Sequence, residues 1–156
     1  MIRKKREEWK IDDLKELAAR AQGEVTIREA IQELDNWCAT AEFELMEYTD
    51  SFKRKVPLIK EWTEMLAKVG DNQALLQSVK DSKFFVRFKD RITQFDKKMG
   101  GLDRYLSKIN NVQRRWLYLE PIFNKGALPS EKPRFQNLND KFAEIMRTVE
   151  KNKKIS

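Results

Sequence analysis

Cys38 is the only thiol in the chain, and nothing near it in sequence would make it a nucleophile. Thiols become reactive beside a histidine, a lysine or arginine, or a metal. The sequence has no histidine, and Cys38 falls on the apolar stripe of a helical stretch, where a buried structural thiol is expected. The missing histidine also removes the side chain most used for proton transfer near neutral pH and for binding transition metals. Acid pairs such as Asp12-Asp13 and Asp81/Asp90 lack the oxygen-dense loop spacing of a calcium site and read as solvated helix faces. No GxxxxGK[ST] or GxGxxG run appears, so no backbone cradle for a nucleotide phosphate is expected. The expectation is a chain with no catalytic, cofactor or metal residues of its own.

Binding chemistry is better represented. Lys83, Arg87, Lys89, Arg91, Lys97 and Lys98 share a helix with aromatic residues, and Arg114-Arg115 adjoin Trp116 and Tyr118, which is how many nucleic-acid binders are composed. Here, however, the aromatics fall at core spacing and do not interleave with the basic face as stacking platforms do. A basic module for nucleic acid or another acidic surface is therefore the second reading. Net charge is +7. Residues 24–50 hold one basic and eight acidic side chains, and residues 51–156 hold 24 basic and 12 acidic. Such blocks attract within a fold or face a partner with opposite surfaces. Trp9, Trp37, Trp62 and Trp116 are large anchors at a helix stripe or its edge. Packing or interface roles are expected for Trp37, Trp62, Phe88, Trp116, Tyr118, Phe123 and Phe135.

The elements that position these residues follow from periodicity. Charged residues make up 37% of the chain and Gly and Pro are few, a composition of helical bundles. Ile11, Leu14, Leu17, Ala18 and Ala21 predict a first helix ending at Gly23. Thr26 and Glu29 then form a capping-box pattern for a second helix carrying Ile27, Ala30, Ile31, Leu34, Cys38 and Ala41. Phe43 to Tyr48, the turn residues Thr49-Asp50-Ser51 and the run Val56 to Ile59 predict a short β-hairpin near 43–59, with Pro57 on an edge strand. Trp62, Met65, Leu66, Val69, Leu76 and Val79 continue a helical stripe through Gly70. Phe85, Phe88, Ile92, Phe95 and Met99 alternate spacings of three and four up to Gly100-Gly101, which should stop that helix. Leu102, Tyr105, Leu106, Ile109, Val112, Trp116, Leu119 and Phe123 form the strongest stripe, disturbed at its end by Pro121. Residues 124–133 read as a loop, Phe135, Leu138, Phe142, Ile145, Met146 and Val149 as a final helix, and 151–156 as a fraying polar tail. The expected fold is all-α, an elongated antiparallel bundle or rod with one hairpin.

The stretch Gln113-Arg-Arg-Trp116-Leu-Tyr118-Leu-Glu120-Pro-Ile-Phe123 resembles the Q-x-x-W-x-Y-L-E-x-I-F signature of dynein heavy-chain linkers. Asp71 to Gln77 followed by Ser82, and Leu128-Pro129 with Glu131, Phe135 and Ile145-Met146, are similar to two further regions of that family. Gly23-Glu24 before the Trp37 helix also fits. The likeness covers nearly all of residues 20–150 and is nearest the branch that serves retrograde intraflagellar transport. Family members often carry Trp where Phe95 stands here, and a later signature with K-x-L-x-x-Y-L-E and F-P-R-F is missing.

Between the N-terminal helix expected over 1–23 and the polar tail expected over 151–156, the resemblance implies the N-terminal half of a linker over 24–150. It also implies a mechanical role. In dyneins the linker is a helical rod over a ring of AAA+ modules, and it bends and straightens as ATP turns over. ATP and Mg would belong to those modules. Partners would be the ring and the remaining linker, the motor tail with its intermediate and light chains, and the microtubule only through a distal stalk. Location would be cytoplasmic, on the cytoskeleton and in the cilium. Neither an apolar signal core nor the ~20 apolar residues of a membrane span is present, so a soluble protein without membrane contact is expected, in a reducing compartment given its single cysteine.

Overall fold

A computed structural model describes the backbone of residues 2–126 and 129–156, and the side chains from Lys10 onward except those of 124, 127 and 128. Leu128, in the expected loop, lies outside the described residues, as does the side chain of Trp9. The elements are α1 (Ile2–Thr40), β1 (Leu45–Thr49), β2 (Lys55–Ile59), α2 (Trp62–Lys80), α3 (Lys89–Asn124) and α4 (Lys132–Lys151), with short 3-10 turns at Phe85–Phe88 and Pro129–Glu131. The fold is all-α with one small antiparallel hairpin.

Gly23 does not end a helix, because α1 runs through it for 39 residues. Thr26 is not a cap either; its hydroxyl donates back to the Gln22 carbonyl at 3.0 Å, the bond a threonine makes inside a helix. What Gly23 provides is space. A Cβ there would lie 2.1 Å from a ring carbon of Phe84, so Phe84 seats directly on the helix backbone. Gly70 also sits inside a helix, but a Cβ there meets nothing within 4 Å. Alanine should therefore act oppositely at the two positions. Gly70→Ala should stabilise by about 0.5–1 kcal/mol through helix propensity, while Gly23→Ala displaces the Phe84 ring, with an overpacking cost of about 1–3 kcal/mol that outweighs the same gain. Urea midpoints of the two variants check this.

Gly100-Gly101 likewise fails to stop α3, which continues for 36 residues. Ile92, Phe95, Met99, Leu106, Gln113, Trp116 and Glu120 are all buried, and their spacings of three, four and seven keep one seam in register across the glycines. Two glycines cost about 1 kcal/mol each, less than loss of that seam. Phe85 and Phe88 precede α3 in the 3-10 turn and are not part of its helix. The helix passes Pro121 and ends at Asn124, followed by Gly126 at φ +78.

Two units cluster separately. One comprises 1–37 and 71–100, with Ile27, Leu34, Leu76, Val79, Ile92 and Met99 in its core. Its ion pairs join the acidic block to the basic stretch: Arg87 reaches Glu24 at 3.2 Å and Arg91 pairs with Asp35. Arg28 lies over the Phe88 ring at 5.8 Å and Arg91 over Phe95 at 5.2 Å.

The other unit comprises 38–70 and 101–156. In it β1 and β2 pair antiparallel from Leu45↔Ile59 to Thr49↔Lys55, and β2 packs on α4. Pro57 lies in β2 with the parity of Ile59, whose backbone groups point away from β1, so its missing N–H falls on the outer edge. On α4 the buried face is Phe135, Asn139, Phe142, Ala143 and Met146. Leu138 and Ile145, expected in the stripe, are 61% and 56% exposed. The tail does not fray: Phe43 N–H donates to the Lys153 carbonyl at 2.6 Å and Ile155 N–H to the Ala41 carbonyl at 3.1 Å. Ser156 Oγ donates to the Cys38 carbonyl at 2.7 Å, and Cys38 is half-buried, more open than expected.

Candidate functional site: a polar brace on one helix face

The most constrained polar cluster lies in the second unit and is built on α3. Gln113, Trp116 and Glu120 follow spacings of three and four, so they share one face, and all three are buried. Each makes a directional bond to a different segment. The Gln113 amide oxygen accepts from Ile59 N–H at 3.0 Å and its amide nitrogen donates to the Ile59 carbonyl at 2.7 Å. This side chain thus supplies one residue's worth of β-ladder to the outer edge of β2.

Trp116 Nε1 donates to Asn139 Oδ1 on α4 at 2.7 Å. Its ring stacks on Phe142 at 4.6 Å and meets Tyr48 edge-on at 5.5 Å. Glu120 accepts from Ser51 N–H at 2.7 Å and from the Tyr48 hydroxyl at 3.4 Å. Asp50, 4% exposed, finishes the hairpin turn by accepting from Phe52 N–H, Arg54 N–H and Arg54 Nε. Lys53 can then adopt φ 61 between them. Further along, Phe123 stacks on Phe135 at 4.4 Å.

Burial first, then the charge and hydrogen bond of Glu120 with a smaller contribution from Asp50, raises the Tyr48 phenol above its ordinary pKa of 10.0. A group whose pKa rises on folding contributes its stabilisation fully below its unfolded value and loses it as pH climbs through the folded one. Chemical denaturation should accordingly show stability level near neutrality and a loss beginning above about pH 10. Tyr48→Phe should remove that alkaline component while leaving any lysine titration in place.

The expected anchors scatter. Trp116 and Phe135 are buried, Phe123, Trp37, Trp62 and Phe88 are half-buried, and Tyr118 is 72% exposed. The Trp62 indole N–H is buried with no hydrogen-bond partner among the described residues. Trp116 belongs to the brace, and Phe123 and Phe135 stack on each other. Asp50 is the turn residue expected, whereas Asn139 and the inward roles of Gln113 and Glu120 do not follow from the sequence reading, although a polar residue at a seam position, as Asn139 is between Phe135 and Phe142, is the signal that marks such a group. Among the described residues no group of three or more His, Cys, Asp or Glu side chains could hold a metal ion. No helix of the described residues is long and apolar enough to cross a membrane.

Gln113, Trp116 and Glu120, from one face of α3, thus tie the hairpin and α4 to a single helix. Residues 1–156 match the family described as Dynein heavy chain, N-terminal region 2, and the chain belongs to the dynein heavy-chain family. It is 48% identical over 147 residues to cytoplasmic dynein 2 heavy chain 1 of Rattus norvegicus, covering 94% of this chain and 3% of the relative. Identity to the cytoplasmic dynein 2 heavy chain 1 of Chlamydomonas reinhardtii is 44%, over 92% of this chain and 3% of that protein. A cytoplasmic dynein heavy chain of Neurospora crassa shares 30% over 88% of this chain and 3% of its own. The chain thus spans a small fraction of the curated relatives it matches.

Proposed function

We propose that this chain is a force-transmitting segment of the linker of a dynein motor that serves retrograde intraflagellar transport. ATP and Mg act at the AAA+ modules of the parent heavy chain, and this segment contributes no catalytic group. Its partners are the ring, the remaining linker and, through the parent, the tail with its intermediate and light chains. The microtubule is reached only through the parent's stalk, and the setting is cytoplasmic, on the cytoskeleton and in the cilium.

The brace supports this reading most directly. A lever transmits displacement only if its elements keep register under load, and close packing without directional bonds lets helices slide or ratchet by a turn. Sliding α3 along the hairpin by one turn, ~5.4 Å, would break the bonds of Gln113 to Ile59 and of Glu120 to Ser51 together. Binding of nucleic acid is the weaker reading, because Arg87 and Arg91 are engaged by Glu24 and Asp35 and Phe95 is buried.

Deleting residues 1–156 from a complete motor, with ring, stalk and remaining linker kept, should leave microtubule-dependent ATPase measurable and abolish or sharply slow gliding. Full-speed gliding would overturn the lever role. Loss of ATPase as well would instead assign the segment to assembly of the ring.

A further inference from the structure

We infer that the outward face of α3 between Arg104 and Leu119 docks an acidic amphipathic helix of a partner polypeptide. A stripe flanking the brace on the same helix carries Tyr105, Val112 and Leu119, which are 65%, 55% and 37% exposed. They stand seven residues apart, the repeat with which one helix meets another along its length. Lys108 and Arg115 fall between them at spacings of three and four, so apolar and cationic side chains alternate along one seam.

Charge identifies the occupant. From 104 to 119 the sequence has not one Asp or Glu, and the two cations that share the seam, Lys108 and Arg115, are both exposed. At the C-terminal end, Asn111, Arg114, Arg115, Tyr118 and Leu119 line a surface depression. Arginine forks there suit carboxylates, with which they form paired hydrogen bonds. A helix with leucine-like residues on one stripe and Glu or Asp beside it satisfies both the apolar repeat and the cations.

A nucleic-acid strand fits less well. Tyr105 and Tyr118 are the exposed rings, and thirteen residues of helix place them ~20 Å apart, too far for stacking neighbouring bases. Exposed Val112 and Leu119 would gain nothing from a phosphate backbone.

The test uses the 156-residue chain and a fluorescently labelled peptide of about 20 residues, Leu-rich on one helical stripe and Glu-rich beside it. Controls are a scrambled peptide of equal composition and a labelled single-stranded oligonucleotide, at two salt concentrations. The expected result is anisotropy binding of the amphipathic peptide, with induced helicity, at least about tenfold tighter than the scramble. The Lys108→Glu/Arg115→Glu double variant should weaken it by about tenfold or more. Lys108→Gln/Arg115→Gln, which is gentler on folding, should give a smaller loss, and circular dichroism confirms that both fold. Equal binding of the scramble, tighter binding of the oligonucleotide, or no binding of the peptide would overturn the inference.

Discussion

Trp116→Ala should lower the unfolding free energy by about 3–5 kcal/mol, the range for truncating a large buried aromatic. Trp116 is 5% exposed, so nearly all its transfer free energy is at stake, and a cavity opens between Tyr48 and Phe142, the rings it now separates. Loss of the indole N–H also leaves Asn139, itself 2% exposed, without its donor. That unpaired amide adds about 1–3 kcal/mol in principle, so the upper part of the range is expected. Trp116→Phe keeps most of the ring and should isolate the hydrogen-bond part. Urea denaturation reads both, and an unchanged midpoint for the alanine variant would remove Trp116 from the core.

Glu120→Ala should have the second largest effect, about 2–3 kcal/mol, since hydrogen bonds to a buried carboxylate are stronger than neutral ones and the Ser51 N–H would be left unpaired. The loss should be local first. Amide hydrogen exchange of Ser51 and of the β1–β2 ladder ought to rise more than that of α4. Glu120→Gln retains an acceptor for Ser51 at the same reach and should cost clearly less. A cycle with Tyr48→Phe should show positive coupling, because the two variants remove the same 3.4 Å contact. Independent, additive effects would mean that the phenol and carboxylate do not interact in solution.

The class of fold was legible because its strongest signals were periodic. Alternation at Phe43 to Tyr48 and the Asp50 turn gave the hairpin, and the edge position of Pro57 followed from its missing donor. Helix ends were misread wherever local rules stood against tertiary ones. Gly23 and Gly100-Gly101 are poor helix residues, yet the seam from Ile92 to Glu120 stays in phase across the double glycine, and that phase was the better guide. The Thr26–Glu29 pattern suits a cap, but the hydroxyl bonds backward within a helix already formed. In α4, Leu138 and Ile145 were assigned to the core by type, although Asn139 takes that place because Trp116 needs an acceptor. Such a preference depends on a residue 23 positions away, and a local window carries no trace of it. The brace itself was legible as a row of residue types and not as a set of bonds, since Gln113 meets a backbone 54 positions distant and Glu120 one 69 distant.

The tail of the chain carries a consequence for biosynthesis. Ser156 bonds to the carbonyl of Cys38 across 118 positions, and Lys153 and Ile155 flank Phe43 and Ala41. At about 5–20 residues per second, a ribosome needs roughly 6–24 s to travel from one partner to the other. Throughout that interval the segment from Ala41 to Phe43 has backbone groups with no mate, beside a hairpin whose outer edge also awaits Gln113. An unpaired edge is the surface on which nascent chains stick to one another. This unit therefore closes late, after synthesis has passed its last strand-like residues, and its yield in cells should respond to elongation rate and to chaperones that bind extended segments.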